Sequence, residues 1–138
     1  NCFVCEADLY VSAPEIFQAD LRRSCYFGKK IAGHSDDWVL RLNGEDIAAI
    51  GVGGDDLFNM AGISYFQQAD AAKIAQEVAV AYQQPGHEQL YWDEVVDKLL
   101  HMGELRLGVH AVPRQSIVEI DSVAELQEFM KSLSEKAE

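Results

Sequence analysis

Trp38-Val39-Leu40-Arg41-Leu42 and Ile47-Ala48-Ala49-Ile50-Gly51-Val52, with Asn43-Gly44-Glu45-Asp46 between them, read as two strands joined by a tight turn. Asn-Gly favours positive φ, which two-residue hairpin turns require, and the flanking runs carry the β-branched and apolar residues of strands. Beyond this hairpin, residues 51–56 read as a flexible glycine-rich link, and residues 58–66 as another strand. Upstream, residues 24–30 form a strand, and residues 2–7 a buried strand that ends in the acidic tip Glu6-Ala7-Asp8. Between them Pro14 suits the first turn of a helix over residues 13–23, with Ser12 as its cap. Helices are expected at residues 69–83, with Ile74, Val78, Ala81 and Tyr82 on one face, and at 87–102, with Val95, Val96, Leu99 and Leu100. Residues 105–109 and 116–120 alternate like strands. Ser122-Val123-Ala124-Glu125 is a capping box that opens a last helix, whose core face holds Leu126, Phe129, Met130 and Leu133, and the polar tail from Ser134 is expected to fray. Strands and helices mixed in this way, with one clear hairpin, predict a mixed α/β sheet.

The 138 residues suit one domain, and 49% hydrophobic content is enough for a core. A formal charge of −12, from 23 acidic and 11 basic side chains, excludes a nucleic-acid partner, because no basic stripe is available to displace counterions from phosphates. Apolar runs are too short to span a bilayer and no signal peptide opens the chain, so no membrane partner and a cytoplasmic location are expected. Cys2-Phe3-Val4-Cys5 has the CxxC spacing, but residues three apart in a strand point to opposite faces and there is no second CxxC; core cysteines are expected. The chain begins at Asn1, on this reading inside a strand, as expected of a piece of a longer protein.

Chemistry is suggested by Glu119-Ile120-Asp121 and Glu6-Ala7-Asp8. In each, two carboxylates are separated by one apolar residue and so share a side in a strand. If the two tips meet, pairs of carboxylates about 4 Å apart repel by about 4 kcal/mol at an effective dielectric near 20. Either protonation or a hard divalent cation such as magnesium relieves that. Spacing alone leaves open the simpler alternative, in which Asp8 ends a strand and Asp121 supports the last helix near its positive end.

Six segments of a known pattern occur in order: Glu6-Ala7-Asp8-Leu9-Tyr10, Asp20-Leu21-Arg22-Arg23-Ser24-Cys25-Tyr26-Phe27, Asp37-Trp38-Val39-Leu40, Ala61-Gly62-Ile63-Ser64-Tyr65-Phe66, Leu90-Tyr91-Trp92-Asp93, and Ile117-Val118-Glu119-Ile120-Asp121-Ser122-Val123. Together they resemble the bacterial CTP:phosphocholine cytidylyltransferases, a branch of the sugar-phosphate nucleotidyltransferase superfamily, over nearly the whole chain. The resemblance implies a largely parallel, Rossmann-like sheet with flanking helices and a β-hairpin excursion, its N-terminal part missing. It implies that Asp8 and Asp121 bind Mg²⁺, with the acidic Glu119 beside them, and that these three are the catalytic residues. CTP and a small phosphorylated acceptor such as phosphocholine would be the substrates, with pyrophosphate released. Trp38, Tyr91, Trp92 and Asp93 match the region that forms an aromatic and acidic cage for a cation, although core packing would equally explain Tyr91-Trp92.

Two departures stand out. The family's glycine-rich nucleotide loop belongs ahead of the first segment, in a further segment of the same protein, so this chain alone is expected to be inactive or slow. Gly51-Val52-Gly53-Gly54 lacks a following helix N-terminus and is a poor phosphate cradle. Lys29 and Lys30, and Gln89 where an acid would help hold a cation, weaken the case for choline, although paired lysines are commonly a solvated patch. A sugar- or polyol-phosphate transferase, an aminoalkyl phosphonate as acceptor, and a non-catalytic binding domain on the same fold remain the alternatives.

Overall fold

A computed structural model describes residues 1–136. Eight strands and three α-helices follow one another as β1 (Cys2–Cys5), β2 (Leu9–Val11), β3 (Cys25–Lys30), β4 (His34–Asn43), β5 (Asp46–Asp55), β6 (Phe58–Phe66), α1 (Gln68–Ala81), α2 (Trp92–His101), β7 (Gly108–Ala111), β8 (Ile117–Glu119) and α3 (Val123–Lys136). The hairpin forms as predicted: Asn43 pairs with Asp46, and only Gly44 of the two loop residues has positive φ (64°), which is the pattern of a type II′ turn. Six strands form one sheet in the order β1-β6-β3-β7-β5-β4, and β2 pairs with β8 in a second, two-stranded sheet.

The mixed α/β class holds, but the expectation of a largely parallel sheet does not. Among the described residues only β3 and β7 run parallel, and the other pairings are antiparallel. Parallel pairs need long crossovers. Here β4 and β5 are joined by a two-residue turn, which enforces antiparallel neighbours.

β3 is buried on both faces. Tyr26 joins Leu40, Ile50, Phe66, Ile74, Val96, Leu99 and Leu107 in the core beneath α1 and α2, while Cys25 and Phe27 join Ile16, Ala61, Ile63, Val112 and Ile117 on the other side. This alternation follows the two-residue repeat of a strand.

Several local expectations fail for identifiable reasons. Residues 13–23 hold only a short 3-10 helix, Pro14–Gln18, after which Ala19 turns to extended backbone. Ile16 and Leu21 both pack into the second core cluster. Five residues apart, they would be separated by about 140° around an α-helix. Ser12 caps nothing; its hydroxyl donates to the carbonyl of Gln115, tying β2 to β8. The glycine-rich link is not a link, since β5 extends to Asp55. The second long helix begins only at Trp92, after a 3-10 turn at His87–Gln89. Cys2 and Cys5 are exposed rather than core, because β1 is an edge strand that, among the described residues, pairs with β6 alone; Cys25 is buried.

The capping box forms: the Glu125 N–H donates to Ser122 Oγ, and Glu125 Oε2 accepts from the Asp121 N–H. The apolar face of α3, however, is not in the core. Phe129 meets Tyr10 with ring centroids 4.7 Å apart, while Leu126, Leu133 and Met130 stay exposed, Met130 by 61%. Their helical spacing is right, but no layer of the described residues covers them. α3 remains helical through Ser134 to Lys136; the rest of the tail expected to fray, Ala137 and Glu138, lies outside the described residues. No described helix is long and apolar enough to cross a membrane.

Leu107→Ala, at a fully buried position, should lower the unfolding free energy in urea by about 2–5 kcal/mol. Leu133→Ala in the same chain should cost less, about 1 kcal/mol or below, since its side chain is already 40% exposed. Equal losses would show that α3 is covered in solution.

Candidate active site

Three neighbours share β6. β3 runs along one edge; the other edge pairs with β4 at Phe58 and Asn59 and with β1 from Ile63 to Phe66. Between those two partners lie Met60, Ala61 and Gly62. Met60 and Gly62 line a cavity of about 600 Å³ that also takes side chains from β3, β4, the β1–β2 turn and the end of β8.

One wall is acidic. Glu6, Asp8 and Glu119 each offer a carboxylate oxygen, all within 4.8 Å of one another, and Asp121 lines the same cavity. The β2–β8 pairing brings them together. Leu9 is opposite Glu119, and the Ile120 N–H donates to the Asp8 carbonyl at 3.0 Å. The structure therefore gathers the three residues expected to be catalytic, Asp8, Glu119 and Asp121. It adds Glu6, which the paired Glu-x-Asp spacing had already put on the same side. Among the described residues, neither Asp8 nor Asp121 forms an ion pair with lysine or arginine.

Gly62 makes room for this wall. Its φ is +73°, and a Cβ there would come within 2.6 Å of Glu6 Oε2 and 2.9 Å of Leu9, while its carbonyl accepts the Glu6 N–H at 2.9 Å. Partial burial, and then the neighbouring Glu119, raises the pKa of Glu6; partial burial followed by Asp121 and Asp8 raises that of Glu119, opposed by Lys29. Clustered carboxylates of this kind are hard oxygen donors, and their repulsion is relieved by a divalent cation.

The same cavity is lined by Asp36, Asp37, Trp38, Tyr91 and Asp93. Trp38 and Tyr91 meet edge to face at 5.5 Å, and Tyr91 is 62% exposed. Asp93, in the first turn of α2, is buried and accepts the Tyr26 hydroxyl at 2.7 Å. Burial raises its pKa, a shift that the Tyr26 hydrogen bond only partly offsets. Of the four residues expected to form a cage, three are here and one is not. Trp92 stacks on Tyr26 at 6.2 Å, meets Phe66 edge-on, and lines a smaller pocket of about 210 Å³ with Tyr26 and Met60.

Lys29 and Arg114 supply positive charge to the cavity. Burial lowers the pKa of Lys29, with Glu119 acting in the opposite sense. The two lysines are thus not one solvated patch: Lys30 instead sits over the Phe58 ring, 5.1 Å from its centroid. Lys29 was visible in the sequence only as one of a charged pair, and Arg114, Asp36 and Asn59 carried no local signal, since tertiary folding alone brings them to the cavity.

The fold is that of a nucleotidyltransferase-type domain, and the comparisons with known proteins narrow that class. No family model matches the chain. Over 128 residues it is 50% identical to a 2-aminoethylphosphonate cytidylyltransferase of Lancefieldella rimae, covering 92% of this chain and 51% of that protein. It is 31% identical over 137 residues to the choline-phosphate cytidylyltransferase of Streptococcus pneumoniae, covering 96% of this chain and 58% of that one. A solved structure of the CTP:phosphocholine cytidylyltransferase from Streptococcus pneumoniae superposes with a TM-score of 0.80 at 29% identity, over 95% of this chain and 57% of that one. A nucleoside-diphosphate-sugar pyrophosphorylase from Vibrio cholerae, 17% identical, shares the fold with a TM-score of 0.62, over 94% of this chain and 55% of that one. The chain is homologous to the bacterial cytidylyltransferases and spans about half the length of the curated relatives it matches.

Asp93 gives a stability test. Its folded pKa lies above the ordinary 3.8, so its contribution to stability is fully present below that value and is lost as pH rises through the folded pKa. Asp93→Asn keeps an oxygen for the Tyr26 hydroxyl and removes the buried charge. The variant should melt at a higher temperature than the parent at pH 7, with the difference closing below about pH 4. A lower melting temperature at pH 7 would show that the charge is compensated.

Proposed function

We propose that the protein containing this chain transfers a cytidylyl group from CTP to a small acceptor bearing an anionic phosphate or phosphonate at one end and a cation at the other, releasing pyrophosphate in the cytoplasm. The observation that carries this reading is the carboxylate cluster of Glu6, Asp8 and Glu119, lining one cavity together with Asp121, Trp38, Tyr91 and Asp93. Homology to cytidylyltransferases supports it independently.

Magnesium fits the donor set, and Asp8 and Asp121, with Glu119 and Glu6, would hold it. When bound, it would neutralise charge on the reacting phosphates. Lys29 and Arg114 add positive charge where the acceptor's anionic end would lie, drawing it towards the acidic wall. Trp38 and Tyr91 offer ring faces to the cationic end, and Asp37 and Asp93 offer carboxylates, so the acceptor is oriented by its two poles. Its anionic oxygen then attacks the α-phosphorus of CTP in line and pyrophosphate leaves. No protein base is required, because the attacking oxygen is already ionised at neutral pH; catalysis is positioning and charge compensation.

Phosphocholine meets these requirements, and so does an aminoalkyl phosphonate, which the 50% identity to a 2-aminoethylphosphonate enzyme favours. Among the described residues no glycine-rich loop leads into a helix to cradle the triphosphate. A further segment of the same polypeptide is assigned that role, and this chain alone should turn over slowly or not at all.

With the whole protein, CTP and Mg²⁺, pyrophosphate release should depend on an aminophosphonate or phosphocholine. Asp121→Asn and Asp8→Asn should each lower kcat by about 10²-fold or more, the scale of losing one preorganised electrostatic element. Undiminished turnover in both variants would remove the metal role, and a sharp preference for sugar phosphates would overturn the two-pole acceptor.

A further inference from the structure

Asp93 is a buried carboxylate without a counter-ion. It is 7% exposed, in the first turn of α2, and among the described residues no lysine, arginine or histidine pairs with it. The side chain that bonds it is Tyr26, 2% exposed, whose hydroxyl donates to Oδ1 at 2.7 Å. Glu94, not Asp93, serves the start of the helix, accepting the Tyr91 N–H at 2.8 Å. One neutral donor does not offset the desolvation of a carboxylate. Among the described residues, Oδ2 accepts from no other side chain, and it is not one of the polar atoms closed off from solvent without a partner, Asn59 Oδ1 and Ser64 Oγ. Asp93 lines both the cavity of about 600 Å³ and the pocket of about 210 Å³ beside it, so a cation entering there can meet it.

We propose that Tyr26 is a positioning residue of the acceptor site: by holding Oδ1 of Asp93 it keeps the ionised carboxylate turned to the cation of the bound acceptor. This rests on the reading of the cavity as an acceptor site. Tyr26 does not line the larger cavity and acts through Asp93. Its own place is fixed. On β3 it lies opposite Ser64 of β6 and Val109 of β7, and its ring meets Phe66 edge-on at 6.0 Å and stacks on Trp92 at 6.2 Å. The carboxylate of an aspartate turns easily about its last torsion, so it is the carboxylate that follows the clamped hydroxyl. The donated bond also favours the charged form of Asp93, which burial opposes. A simpler alternative reverses the roles, with Asp93 present only to satisfy a buried tyrosine hydroxyl. Removing the hydroxyl would then lower stability without changing how cationic and neutral acceptors are told apart.

The test uses the whole protein with CTP and Mg²⁺, and compares 2-aminoethylphosphonate with propylphosphonate, which has a methyl group in place of the ammonium. Tyr26→Phe removes the hydroxyl and keeps the ring in the core. It should lower the ratio of kcat/KM for the cationic acceptor over the neutral one by about 10-fold, the scale of a hydrogen bond to a charged group, and the loss should fall on KM rather than kcat. In an Asp93→Asn background the same substitution should change the ratio no further, because the two residues act as one unit. A Tyr26→Phe variant that melts earlier but keeps the parent's ratio would overturn the proposal, leaving the acceptor site itself intact. Equal kcat/KM for the two compounds in the parent would overturn it as well, since Asp93 would then meet no cation. Should no acceptor be turned over, the transferase reading fails; calorimetric titration of the same two compounds without CTP then decides the positioning role separately. An affinity ratio that falls in Tyr26→Phe supports it, and an unchanged ratio refutes it.

Discussion

The pairing of β2 with β8 holds the acidic wall together. Leu9, Tyr10 and Val11 lie opposite Glu119, Val118 and Ile117, so segments from opposite ends of the chain meet in a ladder only three residues long. Closing so long a loop costs entropy, although that cost grows only logarithmically with length. Ile117, fully buried among Phe27, Ile63 and Val112, and Leu9 and Val11 packed against the same cluster, offset it by removing apolar surface from water. Tyr10, on the other face, is covered by Phe129. The short ladder is thus gripped from both sides, which fixes the register, and the register sets which carboxylates face one another. A slip of one residue would turn Glu119 to the opposite face and disperse the cluster.

With that wall fixed, the cavity is organised by its opposing charges. The seven carboxylates that line it would make it strongly repulsive to a nucleotide in a chain whose formal charge is already −12. Lys29 and Arg114 offset this only in part. In the proposed mechanism the remaining compensation arrives with the divalent ion and the cationic end of the acceptor. The raised pKa values of Glu6, Glu119 and Asp93 express the same imbalance, since burial and mutual repulsion make their charged forms costly until a cation is near.

Local signals were legible where one physical rule dominates. Asn43-Gly44 marked the hairpin because few residues tolerate positive φ, β6 was found to its ends, and α1 followed from the spacing of Ile74 and Val78. Errors arose where partners matter more than pattern. Cys2 to Cys5 reads as a buried strand because it is apolar, yet among the described residues it pairs with β6 alone, and of its side chains Phe3 packs against the core while both cysteines stay exposed. Leu126, Met130 and Leu133 have helical spacing, but among the described residues there is no core for them to enter. Trp92 and Tyr91 are adjacent in the chain, but the start of α2 sends one into the core and leaves the other at the cavity.

The sequence by itself determined the α/β class, the hairpin and the two pairs of spaced acids, because backbone preference and side-chain periodicity are properties of neighbouring residues. Its order of motifs also carried the likeness to cytidylyltransferases. Only the tertiary structure decided that Glu6 joins the acidic cluster, that Lys29 rather than Lys30 lines the same cavity, and that the Asn59 amide donates to Asp37. Those facts depend on which strands lie side by side, a relation between distant segments that no local stretch encodes.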